Sequence, residues 1–185
     1  MKRSTRGAVR LFFTLWPKDA ERVAMASWQG PLLKLCGGRS IPADILHSTL
    51  VFFGNVDVER LEALQLAAQE VSGSAFKLIL DVARYWGQNH IVYAAPSHVP
   101  AQLIGLVEAL EKSLHRHHFN FDQRVYKPHV TLLRHAHFTD RPLPTMQKII
   151  WEINDFSLMR SIGGEQGAKY ETLCRVPLGK QLQIQ

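Results

Sequence analysis

One four-residue pattern occurs twice in this chain, as His47-Ser48-Thr49-Leu50 and as His129-Val130-Thr131-Leu132. Each copy lies in a run of β-branched and apolar residues that reads as a strand. Along a strand, residues i and i+2 stand on one face about 6.6–7 Å apart at Cα. His47 and Thr49 therefore share a face, as do His129 and Thr131, while Ser48 and Leu50 turn the other way and each leucine is available to anchor its strand in a core. Two such strands in separate halves of the chain point to an internal duplication. Nothing else repeats at a fixed period, which excludes a solenoid.

The residue types constrain the chemistry. Imidazole has an ordinary pKa near 6.5, so at neutral pH one copy can act as a base while the other acts as an acid. A hydroxyl beside each ring can donate to the non-bridging oxygens of a phosphate. This set suits metal-independent opening of a 2′,3′-cyclic phosphate, which needs a base for water and an acid for the departing ribose oxygen. We assign His129 as proton acceptor and His47 as proton donor.

The elements between the two copies alternate. Residues 8–16 read as a strand, and Pro17 opens a helix that reaches Cys36 and stops at Gly37-Gly38. Residues 45–53 form the first motif strand, ended by Gly54-Asn55. Asp57 is placed to cap a helix through Val71. Residues 76–86 and 90–95 read as two strands joined at Gly87-Gln88-Asn89. Pro100 opens a helix to about His118, with Leu103, Val107, Leu110 and Leu114 forming an amphipathic stripe. The second motif strand covers 129–134, and Arg141-Pro142-Leu143-Pro144 marks a loop. Strands at 149–160 and 169–177 follow, separated by Gly163-Gly164-Glu165-Gln166-Gly167. The order implies an α+β fold, and with no linker the whole of 1–185 is expected to be a single domain.

The chain carries a formal charge of +6 and nine histidines, which favours polyanionic partners. Arg10, Arg39, Arg124, Lys127 and Arg134 lie near the motifs. Cys36 and Cys174 are too far apart in sequence for a zinc or redox motif and read as reduced thiols of a cytoplasmic protein. Lys2, Arg3 and Arg6 precede the apolar run Leu11–Trp16, but that run is too short for a signal-peptide core and far short of the roughly 20 residues a membrane span needs. No membrane association is expected, and a monomer is. His115, His117 and His118 gather at a helix end with no carboxylate or cysteine to complete a metal site, and there they complement the helix dipole. His135 and His137, on simple alternation, continue the active face of the second motif strand. Phe12, Phe52 and Tyr126 are candidates to stack on a base.

At these residues the chain resembles the two-histidine (2H) phosphoesterases, in particular the bacterial RNA 2′,3′-cyclic phosphodiesterases, also called 2′-5′ RNA ligases. The likeness extends to Arg10-Leu11-Phe12-Phe13, Ile41-Pro42-Ala43-Asp44, Gly54-Asn55-Val56, Lys127-Pro128, Arg134 and the segment Tyr170 to Pro177. Ser48 and Phe53 depart from it, standing where other apolar residues are common. The resemblance implies a bilobal fold in which two antiparallel sheets flank a central groove, with helices outside and one motif strand from each sheet. It implies His47 and His129 as the catalytic pair, Thr49, Thr131 and Arg134 as phosphate binders, and no metal or cofactor. RNA ends or nucleotides bearing a 2′,3′-cyclic phosphate would be hydrolysed to a 2′-phosphate, with weak reverse 2′-5′ joining. Three rival readings are a non-catalytic nucleotide-binding domain on the same fold, a phosphodiesterase for another cyclic or 2′-5′ linked nucleotide, and a structural or RNA-chaperone role for the basic surface, which would leave the motif pair unexplained.

Overall fold

A computed structural model describes residues 7–163 and 167–179. Lys2, Arg3, Arg6 and the centre of the glycine-rich connection, residues 164–166, lie outside the described residues.

Strand β1 (Ala8–Leu15) is buried from Leu11 onward because it runs through the middle of a sheet. Helix α1 (Asp19–Cys36) starts where Glu21 accepts the Lys18 backbone N–H at 3.1 Å. Met25, Trp28, Gln29, Leu32 and Cys36 form its buried stripe. The helix ends at Gly37, whose φ of 61° lets its N–H return to the Leu33 carbonyl at 2.8 Å. A two-residue strand that sequence reasoning missed, β2 (Arg39–Ser40), follows at once.

Strand β3 (Ser48–Asp57) carries the first motif and continues past the expected stop at Gly54-Asn55. Gly54, at φ 71°, sits at a pairing irregularity opposite Leu11, so the glycine marks a bulge and not an end. The expected cap at Asp57 is absent, since its side chain makes no capping bond. A 3-10 turn (Val58–Arg60) leads instead into α2 (Leu61–Gln69).

The two longest expected strands are each broken. Residues 76–86 divide into β4 (Phe76–Leu80) and β5 (Val82–Trp86), and residues 149–160 into β8 (Ile149–Ile153) and β9 (Asp155–Ile162). At the first break the Asp81 carboxylate accepts both the backbone N–H (2.7 Å) and the hydroxyl (2.6 Å) of Ser97. The leading halves pair with each other as a ribbon while the trailing halves enter separate sheets. Neither break carries a glycine or proline, so sequence punctuation does not reveal the change of sheet. The remaining elements are β6 (Ile91–Ala95), α3 (Ala101–Arg116), β7 (Val130–Arg134) with the second motif, and β10 (Lys169–Pro177).

All the strand pairs are antiparallel. They form two four-stranded sheets, β10-β9-β1-β3 and β2-β7-β6-β5, beside the β4-β8 ribbon. Helix α1 packs on β7 and β8, while α3 packs on β3 and α2. A continuous apolar core joins both sheets, from Leu11 and Phe13 to Val92 and Leu132. The expected α+β arrangement of two sheets, each contributing one motif strand to a shared groove, is what the chain adopts. Among the described residues no helix is long and apolar enough to cross a membrane.

Candidate active site

Each catalytic-type histidine stands one residue before its strand and is anchored in the same way. His47 Nδ1 lies 2.7 Å from the Ile45 carbonyl, and His129 Nδ1 lies 2.7 Å from the Lys127 carbonyl. A carbonyl oxygen only accepts, so Nδ1 carries the hydrogen in both rings and Nε2 is left as the reactive nitrogen. Both rings and both motif threonines line one cavity of about 660 Å³ between the sheets. Among the described residues neither threonine hydroxyl has a protein partner, which leaves both free to donate to a ligand.

The leucine of each motif has a role that alternation does not predict. Thr14 pairs with Thr49 and Phe13 with Val51, so Leu50 is an extra residue in β3. Tyr93 pairs with Thr131 and Val92 with Leu133, so Leu132 is an extra residue in β7. Both motifs therefore contain a β-bulge at the same letter. Leu50 and Val51 are buried together, as are Leu132 and Leu133. Beyond the bulge each strand has changed face. Phe52 and Arg134, each five residues after its histidine, thereby join the cavity wall.

That shift corrects the expectation for His135 and His137. Strand β7 ends at Arg134, His135 adopts φ 55°, and both histidines are exposed outside the cavity lining. Sequence alternation would also have sent Arg134 to the wrong face. Only the family resemblance placed it at the site.

The surroundings of the two imidazoles differ. His47 is packed against Phe12 (5.2 Å between centroids), stacked on Trp16 (5.7 Å, 23°) and met edge-on by Tyr170 (5.2 Å). The Arg22 guanidinium lies over the Trp16 ring at 4.9 Å. Burial pushes the His47 pKa below its ordinary value, and the charges of His129, Arg134 and Arg22 push the same way against the Ile45 hydrogen bond. His129 meets the edges of Trp86 (5.7 Å) and Tyr93 (5.5 Å) and borders a second cavity of about 430 Å³ with Trp86, Tyr126 and Lys127. Sequence reasoning missed Trp16, Trp86 and Tyr93. They reach the histidines across strands or from the segment after β1, and no local spacing announces it.

Phe12 and Phe52 both line the first cavity. Phe12 is only 4% exposed and supports His47, whereas Phe52 is half-buried and lies under the Arg10 guanidinium at 4.9 Å. Tyr126 lines the second cavity, with its hydroxyl turned inward and its pKa raised by burial. Arg10 and Arg39 reach the first cavity. Lys127 lies over Trp86, and Arg124 is paired with Asp122. At the end of α3, His117 bonds Glu70 at 3.0 Å, and the described residues contain no cluster of three or more metal-ligating side chains.

The sequence model of the 2′-5′ RNA ligase superfamily matches residues 16–165. The chain belongs to the 2′-5′ RNA ligase superfamily. Among relatives of this superfamily member, the RNA 2′,3′-cyclic phosphodiesterase of Escherichia coli K12 is 30% identical over 166 residues, 90% of this chain and 94% of that protein. The crystal structure of E. coli LigT complexed with 3′-AMP superposes with a TM-score of 0.83 at 29% identity, covering 94% of this chain and all of that one. LigT has also been solved in complex with phosphate, ATP and NADP+. A Thermus thermophilus protein, TT0787, shares the fold with a TM-score of 0.73 at 21% identity, covering 91% of this chain and 97% of that one.

Proposed function

We propose that this superfamily member hydrolyses 2′,3′-cyclic phosphate ends of RNA or nucleotides to 2′-phosphates, without a metal, through acid–base catalysis by His129 and His47. The observation that carries this reading is the matched pair of Nδ1-anchored histidines whose Nε2 atoms serve one cavity with Thr49, Thr131 and Arg134. The E. coli relative named for this activity and the nucleotide complexes of LigT support the same substrate class.

His129 borders both cavities and is the better placed of the two to receive water, so it acts as the base. Its Nε2 takes a proton from water as the water oxygen bonds to phosphorus. The bond from phosphorus to the ribose 3′-oxygen breaks, and His47 Nε2–H delivers its proton to that oxygen. A proton held on a ring whose pKa is depressed is readily given up. Thr49, Thr131 and Arg134 bind the non-bridging oxygens, whose charge rises in the transition state. With a ribose 5′-hydroxyl in place of water, the same step bonds its oxygen to phosphorus, breaks the bond to the 3′-oxygen and leaves a 2′-5′ phosphodiester, which accounts for weak 2′-5′ ligation. The whole chain acts as one domain of two lobes, and its unpaired Cys36 and Cys174 suit a reducing compartment such as the cytoplasm.

The test uses EDTA-treated protein with adenosine 2′,3′-cyclic phosphate and an RNA ending in a cyclic phosphate. A 2′-phosphate product is expected, and His47→Ala and His129→Ala should each lose about 10²–10⁴-fold in turnover. A 3′-phosphate product, inactivation by EDTA, or near-normal turnover by His129→Ala would overturn the mechanism.

A further inference from the structure

Arg39 and Arg134 stand directly opposite each other in the β2–β7 pair. Directly opposed residues of an antiparallel pair project to one side with Cβ atoms about 4.5–5.5 Å apart, and like charges in that position repel. Both side chains are exposed and both line the cavity that holds the two histidines. Among the described residues neither has an ion-pair partner, and no aspartate or glutamate lines the cavity.

Several structural devices hold this unfavourable pair in place. Gly38 has φ +88°, and a Cβ there would fall 2.5 Å from the Arg134 carbonyl oxygen. Only glycine lets β2 come so close to β7. The Ile41 N–H donates to the carbonyl of the bulged Leu132 at 2.9 Å. Gln29, 9% exposed on α1, donates from its amide nitrogen to the carbonyls of Ile41 (2.7 Å) and Leu132 (3.0 Å), tying both strands together. A strand of two residues fastened this firmly serves chiefly to position Arg39.

A cyclic phosphate carries one negative charge, which Arg134 can match together with the threonines. The second guanidinium calls for a second anion. We propose that Arg39, fixed beside Arg134, binds a second phosphate of the same ligand, namely the group on the 5′-oxygen of the nucleotide that bears the cyclic phosphate. In a free nucleotide that group is a 5′-phosphate, and in an RNA end it is the phosphodiester to the preceding residue. The inference rests on the cyclic-phosphate reading of the cavity and adds the recognition of a chain in place of a bare nucleoside cyclic phosphate.

Binding measurements test it without turnover, so failure of hydrolysis and failure of the subsite are separate results. Calorimetry compares adenosine 2′-phosphate, adenosine 2′,5′-bisphosphate and the dinucleotide ApA 2′-phosphate on the wild-type chain, on Arg39→Gln and on Arg39→Lys. The wild type should prefer the bisphosphate over the monophosphate by about tenfold, the scale of one charge-assisted hydrogen bond. Arg39→Gln should reduce that ratio to about one, and Arg39→Lys should keep part of it. A matching gain for the dinucleotide assigns the subsite to an RNA chain, and a gain for the bisphosphate alone assigns it to a free 5′-phosphate. Equal wild-type affinity for the mono- and bisphosphate overturns the proposal. So does an Arg39→Gln chain that weakens both ligands alike, because Arg39 would then share the catalytic phosphate.

Discussion

His47 and His129 hang from equivalent carbonyl oxygens, yet their rings meet different neighbours. Phe12, Trp16 and Tyr170 enclose His47, and Arg22 lies over Trp16, so the protonated form of His47 is disfavoured until an anion arrives. A bound phosphate offsets that penalty, because negative charge beside an imidazole raises its pKa. The His129→Ala chain isolates the remaining group. If His47 is the acid, the residual kcat/KM of that variant falls as pH rises, with its midpoint below 6.5, the ordinary imidazole value. The corresponding fall in kcat should lie at higher pH, since it reports the phosphate-bound state. A residual rate that rises through the same range would exchange the roles of the two histidines.

Among the elements, β2 shows most clearly how backbone geometry serves the site. Its approach to β7 depends on Gly38. The backbone atoms that an alanine Cβ would strike cannot swing aside as a flexible side chain would. Gly38→Ala is expected to destabilise the chain by about 1–3 kcal/mol, read as a lower urea midpoint, and to remove the preference for a second phosphate. An unchanged midpoint with intact preference would show that β2 has room to spare. This strand also marks the limit of what the sequence discloses. The motif strands, α1 and α3 were legible from β-branched runs, proline and glycine punctuation and helical spacing. Arg39-Ser40 has too few residues for any periodicity. The breaks at Asp81 and Asn154 were hidden because no glycine or proline marks them and only the pairing partner changes. At the site, the His/Thr pairs followed from alternation, but Arg134 and Phe52 reach the cavity only through bulges, which depend on the partner strand.

Over the whole molecule, a formal charge of +6 is less informative than its distribution. Among the described residues, Arg10, Arg39 and Arg134 line a cavity with two histidines and no carboxylate, whereas several cations elsewhere have acidic partners, as in Lys77–Glu152 and Arg160–Glu171. Binding of a cyclic-phosphate RNA end should therefore weaken with salt. For two engaged phosphates the slope of log K against log salt is about −1.4, and Arg39→Gln should make it shallower by roughly 0.7. Titrations between about 50 and 200 mM salt would measure it, and a flat response would mean that apolar contacts dominate. The paired bulges have one more consequence. Straightening either bulge while keeping its leucine would restore simple alternation and turn Phe52 or Arg134 toward the interior, so the bulges must persist for the fifth residue to face the groove. The identity of Phe52, unlike that of the phosphate-binding Arg134, is under no such restriction. Point substitution there can retune what the groove accepts while leaving the acid and the base untouched, so substrate preference and reaction chemistry can evolve separately on the same two strands.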